Sequence, residues 1–367
     1  MLYLGIDQHK SQLTVSLRGE DGLVILKRQV STQWEKVRAF FADLAEKAQS
    51  EGGFLAILEV CGMNPWLLEM LREHGCRETV VIQPTAHSKQ KTDRRDAGVL
   101  SHVLWVHRRQ FWEGKHPLGL RRVEPPTAQE ADDRQLTALR ARLTKKRTAV
   151  LNGLHKILRK HNLEQECPTK KFQTQKVRRW LAEMDLPAVD RLEVNLLLPQ
   201  WELLDTQLEV VEAKIAERAA GDERVKLLES VPGVGHYSAV AIASRIGNIQ
   251  RFKRADSLAN YFGLTPGCRN SGEATQRLGS ITKQGSKMVR YLLNQAVIKV
   301  LRFDAAMRAW FKRIKKRRGS KIARVAVMRR LATILWHMLK RNEKYRYDGP
   351  IRKHQEFEAF EGTSEAA

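Results

Sequence analysis

Lys91-Thr92-Asp93-Arg94-Arg95-Asp96-Ala97 opens an apolar helical run of Val99, Leu100, Val103, Leu104 and Val106. Aspartates three residues apart share one face of a helix. With the apolar stripe pressed on a core, both carboxylates would face a cleft. Rigid elements present oxygen ligands to a hard divalent cation in this way. There is a plainer reading, because acidic residues in a first helical turn complement the helix dipole. That is the default for these residues alone, and the chain before them shifts the balance.

Leu2-Tyr3-Leu4-Gly5-Ile6-Asp7-Gln8-His9 alternates apolar and other residues, which predicts a strand with Asp7 near its end. Residues 11–17 and 23–30 read as two further strands, separated by the turn Gly19-Glu20-Asp21-Gly22. A helix is expected over 34–48, with Val37, Phe40, Phe41, Leu44 and Ala45 on one face. Residues 54–60 form a continuous apolar run, as in a buried central strand, and its one charge, Glu59, sits at the end. Asn64 is expected to cap a helix with Pro65 in its first turn. Residues 79–83 are another strand. Three hairpin-connected strands, then helix, strand, helix, strand, helix, fit a mixed α/β sheet with helices on its faces. This order lines up Asp7, Glu59 and the pair Asp93/Asp96. A buried Glu at a strand end is costly unless paired or metal-bound. Four carboxylates at one sheet edge would repel without cations between them. The set suits two-metal phosphoryl transfer, in which one ion activates the attacking oxygen and the other stabilises the leaving one.

Gly5-Ile6-Asp7, the Glu59 that ends an apolar strand, and the Asp-x-x-Asp of 93–96 resemble the DEDD tetrad of RuvC-like nucleases with the RNase H fold. The form Lys91-Thr92-Asp93-x-x-Asp96-Ala97 is similar to one branch of these. That branch is the DEDD insertion-sequence transposases, the "one-ten" family, known as bridge-RNA-guided recombinases. The resemblance implies a RuvC-like N-terminal domain in which Asp7, Glu59, Asp93 and Asp96 bind two Mg2+ ions, with Mn2+ as the alternative. There is one departure. Members commonly follow the Glu with Ala/Ser-Thr-Gly, whereas this chain has Val60-Cys61-Gly62, which keeps a turn glycine. His9 and His102 are ligand or general-base candidates or, more plainly, polar residues bordering a wet cleft.

Composition points the same way. The chain of 367 residues carries a formal net charge of +24 and a pI near 10.1. An ordinary enzyme does not need that excess; a polyanionic partner does, nucleic acid before an acidic membrane surface. No apolar run approaches the roughly 20 residues of a membrane span, and no signal peptide is expected. Cys61, Cys76, Cys167 and Cys268 form no CxxC pair. They argue against a structural zinc or a disulfide framework and fit a reducing cytoplasm. By the resemblance that cytoplasm is bacterial, with association to the nucleoid during action.

Residues 105–126 are basic, broken by Pro117, Pro125 and Pro126, and read as a connector. Leu136, Leu139, Leu143, Val150, Leu154 and Ile157 then recur at threes and fours, with Arg140, Arg142, Lys145, Lys146 and Arg147 on the other faces. A second run has Leu204, Leu208, Val211 and Ile215. Each is an amphipathic helix suited to an antiparallel pair or to a coiled coil between subunits. Residues 160–200 are helix-prone but read as interrupted by Pro168, Pro187 and Pro199. The resemblance implies a helical linker that mediates dimerisation and RNA contact, the dimer assembling to a tetramer.

Leu227-Leu228-Glu229-Ser230-Val231-Pro232-Gly233-Val234-Gly235 resembles the hairpin of a helix-hairpin-helix. The exposed N–H groups at Gly233 and Gly235 and the following helix N-terminus could grip a phosphate without reading sequence. A plain interhelical turn is the alternative. Further on comes Gly263-Leu264-Thr265-Pro266, then Ser271-Gly272, then Arg277-Leu278-Gly279-x-Ile281-Thr282-Lys283-x-Gly285 and Arg290. This is a long polar loop on a rigid frame, the kind that carries function. The block resembles the C-terminal domain of the same transposases, which bears a nucleophilic serine, and Ser271 is the matching residue. From the residues alone, Ser280 and Ser286 compete with it. Serine is a weak nucleophile until a base or metal activates it. By the resemblance, the carboxylate centre of a partner subunit does so. Arg277 and Lys283 in the loop, and Lys312, Arg313, Lys315, Lys316, Arg317 and Arg318 beside Trp310 and Phe311, read as phosphate contacts. A solvated surface is the alternative for any such charge run. After Pro350 the chain turns acidic, with Glu356, Glu358, Glu361 and Glu365, and disorder is expected there.

The expected organisation is a RuvC-like DEDD domain over 1–112 and a basic connector with coiled-coil helices over 113–222. A mostly α C-terminal transposase domain follows over 223–350, then a tail over 351–367. The expected function is an insertion-sequence transposase. It would cut and rejoin target and donor DNA under the guidance of a bridge RNA, through a phosphoserine–DNA intermediate. RNA use rests on the resemblance alone. Two rivals stand beside it. One is a metal-dependent, junction-resolving or repair endonuclease that uses water. The other is a basic nucleic-acid-binding protein with a decayed tetrad, against which the presence of all four acids argues.

Overall fold

The N-terminal strands follow from their alternation. β1 (Leu2–Gln8), β2 (Gln12–Arg18) and β3 (Val24–Ser31) form an antiparallel meander. The apolar residues of one parity, Leu2, Leu4 and Ile6, enter one core, while Tyr3 enters another on the opposite face. After α1 (Trp34–Ser50) comes β4 (Phe54–Glu59), parallel to β1; after α2 (Asn64–Glu73) comes β5 (Cys76–Ile82), parallel to β4. The sheet order is β3-β2-β1-β4-β5. α1 and α2 cover one face through Val37, Phe40, Phe41, Leu44, Leu67, Met70 and Leu71. α3 (Asp93–Val106) and α4 (Arg108–Trp112) cover the other through Leu100, Leu104 and Phe111. This is the mixed sheet with flanking helices that the sequence predicts. It lies in a computed structural model that describes residues 1–83, 93–115, 117–268 and 278–347. Of residues 93–95, 268 and 278 it describes the backbone alone.

Three local expectations are corrected. β5 begins at Cys76, three residues early, because Cys76 pairs with Phe54 before a register shift. Residues 121–123, read as connector, pair with the outer edge of β5: Gln83 N–H donates to the Arg121 carbonyl at 2.8 Å and Val123 N–H to the Val81 carbonyl at 2.7 Å. The prolines flank this stretch without entering it, so its donors are free to pair. Asn64 is not the cap of α2, whose N-cap is Met63.

The chain divides into two compact units, Met1–Pro125 and Pro126–Ala367. The second opens with α5 (Ala128–Lys160), started by a capping box between Thr127 and Glu130. α6 (Gln175–Glu183) leads to α7 (Ala188–Ala220). α5 and α7 pack as an antiparallel pair within the chain, shown by the ion pairs Asp133–Arg218, Arg140–Glu212, Arg147–Asp205 and Lys160–Asp190. Pro199 does not interrupt α7, contrary to expectation. It lies on the exposed face, where water solvates the carbonyl it leaves unbonded. The remaining elements are α8 (Glu223–Glu229), α9 (His236–Ile246), α10 (Ala255–Tyr261), β6 (Pro266–Cys268), β7 (Leu278–Ile281), α11 (Lys287–Phe303), α12 (Ala305–Arg318) and α13 (Ser320–Arg341). One core runs from α5 to α13. No described helix is long and apolar enough to cross a membrane. The expected acidic tail lies outside the described residues.

Candidate active site

β1 and β4 lie side by side in parallel, with Gly5 opposite Ile57 and Ile6 opposite Leu58. One step further along each strand stand Asp7 and Glu59. Residues of one parity share a face of a sheet. Tyr3, Leu55 and Ile57 belong to the core beneath α3, so the two carboxylates stand on the α3 face at the C-terminal strand ends.

α3 reaches that end because residue 5 is glycine. A Cβ there would fall 2.4 Å from the Ser101 backbone nitrogen and 2.5 Å from the Ala97 carbonyl oxygen. The helix therefore rests directly on the β1 backbone, and it runs opposite to the strand. Trp105 donates to the Glu20 carbonyl at 3.1 Å, and Ser101 Oγ accepts from Arg18, the β2 residue opposite Tyr3, at 3.1 Å. The first turn of α3 thus lies toward Asp7 and Glu59. Asp96, partly exposed, belongs to that turn. Asp93, the first residue of α3, begins the same turn, and its side chain lies outside the described residues.

Asp7 is 18% exposed, and its Oδ2 is 3.0 Å from His9 Nε2. His9 thus serves as a hydrogen-bonding neighbour of a candidate ligand. His102 instead stacks on Trp105, with ring centroids 6.3 Å apart, further along α3. Among the described residues no three His, Cys, Asp or Glu side chains gather closely enough to hold an ion together. The candidate donors are carboxylates on rigid, adjacent elements, the chemistry a hard divalent cation takes. Gln8 and Asn64, which bond to one another at the same strand ends, were not singled out as site residues by the sequence; Asn64 read as a helix cap.

The DEDD transposase model of the IS110 group matches residues 4–163, a span that holds all four acids. A second model, described as the IS116/IS110/IS902 transposase family, matches residues 225–312. The chain belongs to this family of insertion-sequence transposases. It is 29% identical over 353 residues to the transposase for insertion sequence element IS1111A of Coxiella burnetii, covering 94% of this chain and 91% of that one. It is 26% identical over 352 residues to a probable family 20 transposase of Pseudomonas aeruginosa, covering 94% and 98%. It is also 30% identical over 126 residues to a pilin gene-inverting protein of Moraxella bovis, covering 34% and 39%. Transposases cut and join DNA, and the DEDD type depends on divalent metal in general.

In the second unit of the transposase, β6 and β7 form a hairpin stem, Pro266 opposite Ile281 and Cys268 opposite Leu278. Ser271 and Arg277 lie outside the described residues. The base of the stem is closely packed. A Cβ on Gly263, whose φ is +67°, would meet the Gln284 carbonyl oxygen at 2.1 Å; one on Gly285, whose φ is +75°, would meet that of Tyr261 at 2.0 Å. Arg290 donates to the carbonyls of Phe262, Gln284 and Gly285 at 2.9–3.2 Å. Ser286, one of the competing serines, caps α11, its Oγ accepting from Val289 N–H at 3.3 Å. Ser280 and Lys283 are exposed.

Pro232 to Gly235 form the turn between α8 and α9. Gly233 has φ +87°, and a Cβ on it would fall 2.7 Å from Lys299 Cβ on α11, so close packing alone demands glycine there. Gly235 is the N-cap of α9 and faces open space. Glu229 pairs with His236 beside that helix start, which reduces its appeal to an anion. On α12, Lys312, Arg313, Lys315, Lys316, Arg317 and Arg318 are all exposed, and none pairs with a carboxylate among the described residues. The last four also complement the dipole at the C-terminal end of their helix.

Proposed function

We propose that the transposase is an RNA-guided recombinase, in which Asp7, Glu59, Asp93 and Asp96 hold two Mg2+ ions, or Mn2+ in their place, and Ser271 is the nucleophile. The observation that carries the proposal is the register of β1 and β4, which sets Asp7 next to Glu59, with the first turn of α3 brought to them over Gly5. Bound there, the cations supply charge neutralisation at the scissile phosphate and a lowered pKa for an attacking hydroxyl. Ser271 Oγ attacks phosphorus and gives up its proton; the phosphorus–oxygen bond to the departing strand breaks, and that oxygen takes a proton. A hydroxyl of the second strand then displaces the serine by the reverse steps. One phosphodiester is consumed and one is formed, so no nucleotide hydrolysis is required. A relative named for gene inversion supports a reaction that ends in joined DNA.

The partners in this proposal are target and donor DNA, a bridge RNA and further copies of the chain, acting at the bacterial nucleoid. The +24 charge and the exposed cations of α12 suit nucleic acid. RNA guidance itself comes with the family resemblance. A dimer is favoured by α7, where Val189, Leu192, Leu196, Leu203 and Val210 are each 58–76% exposed at heptad spacing. The test is strand exchange with RNA, Mg2+, donor and target supplied. Asp93→Ala and Ser271→Ala should each abolish exchange while DNA binding persists. Unimpaired exchange in either overturns the proposal, and cutting that survives Ser271→Ala points to water as the nucleophile.

A further inference from the structure

The β1–β4 ladder ends at Ile6 and Leu58, one residue short of the two carboxylates. Beyond that point each strand bonds to its other neighbour. β1 continues along β2, with Gln8 opposite Leu13 and His9 N–H on the Gln12 carbonyl at 2.9 Å. β4 turns toward β5, with Val60 N–H on the Ile82 carbonyl at 2.8 Å. Asp7 and Glu59 are therefore not themselves a ladder pair.

A side-chain bridge takes over at that point. Asn64, 4% exposed, donates through Nδ2 to Gln8 Oε1 at 2.8 Å and to the Glu59 carbonyl at 3.2 Å. Its Oδ1 accepts from Cys61 N–H at 2.5 Å. Gln8 Nε2 donates to the Met63 carbonyl at 2.8 Å. The backbone partners fix both amide orientations, since a carbonyl demands a donor and an N–H an acceptor. Gly62 has no positive φ and a Cβ on it would meet nothing within 4 Å, so the turn after Glu59 is not one that needs glycine; Asn64 holds it instead. By strand parity Gln8 lies on the face opposite Asp7, so the bridge leaves the carboxylate face clear.

We infer that Gln8 and Asn64 are positioning residues that set the Asp7–Glu59 separation and thereby the affinity for divalent cation. The inference rests on the reading of Asp7 and Glu59 as cation ligands. Groups that orient ligands from behind typically change metal affinity about 10–100-fold when removed. An aspartate could not replace Asn64, because its second oxygen would face the Glu59 carbonyl.

The experiment is titration of the full-length chain with Mn2+, following the free ion by electron paramagnetic resonance, beside melting curves taken without metal. Asn64→Ala and Gln8→Leu should each raise the Mn2+ Kd about ten-fold or more. The double variant should do little worse than either, because the two act as one unit. Gln8→Leu carries the test alone if Asn64→Ala does not fold. Glu59→Gln is the control. If it loses the ion while both folded bridge variants keep the parental Kd, the bridge is structural only and the inference fails, with the ligand reading intact. If Glu59→Gln also binds as the parent does, the ligand reading fails and takes the inference with it.

Discussion

Gly5 is the residue on which the site's geometry turns. Any side chain there meets the backbone of α3 at 2.4–2.5 Å, and a helix backbone cannot give way as the tip of a side chain can. Gly5→Ala should destabilise the N-terminal unit by about 1–3 kcal/mol through overpacking. It should also weaken Mn2+ binding, because α3 must lift and carry Asp96 with it. Chemical denaturation and the Mn2+ titration check both parts; unchanged stability would mean that α3 does not rest on β1. At this scale the sequence was informative where the pattern is local. Asp7 and Glu59 could be placed because each ends a strand whose period is two. Gln8 and Asn64 could not, since their bond joins positions 56 residues apart and only the β1–α2 packing brings them together. Ser286, a competing nucleophile from the residues alone, sits three residues before its partner Val289, the spacing of a helix cap.

Among the elements, α7 departs most from expectation. Its 33 residues run through Pro199, which the sequence reads as a break. Helical spacing predicted the buried set Leu204, Leu208, Val211 and Ile215, yet spacing cannot tell whether a proline faces a neighbour or water. Pro199→Ala should therefore stabilise the chain, by up to about 3 kcal/mol, read as a higher melting temperature. A lower one would show that the proline is packed. The second apolar stripe, on the far face, belongs to another copy in our proposal. Leu196→Glu with Leu203→Glu should convert the dimer to monomer in sedimentation at unchanged helicity. A dimer that survives both charges would move the subunit contact elsewhere. The same α7 explains why two arrangements stayed open from sequence: one face pairs with α5 inside the chain, while the other carries a second, exposed apolar stripe.

For the molecule as a whole, charge sets how it meets nucleic acid. If the six exposed cations of α12 touch phosphates, replacing them with Ala should reduce the slope of log affinity against log salt by about 0.7–0.9 for each phosphate no longer neutralised. An unchanged slope would return them to the solvated helix surface. The two-block organisation was legible because carboxylates at strand ends and a Gly/Ser/Thr loop are both local signatures, and each falls within a family match. How the carboxylates and Ser271 would meet in the proposed reaction is not legible, since nothing local encodes it. The measurement that bears most directly on the proposed recombinase activity is therefore covalent trapping. The purified protein, with the RNA that accompanies it and Mg2+, is incubated with labelled target DNA, denatured, and the attachment mapped by mass spectrometry. DNA joined to Ser271 is expected, with no such adduct in Ser271→Ala or in Glu59→Gln. Cut DNA with no protein attached would contradict it and leave a hydrolytic nuclease.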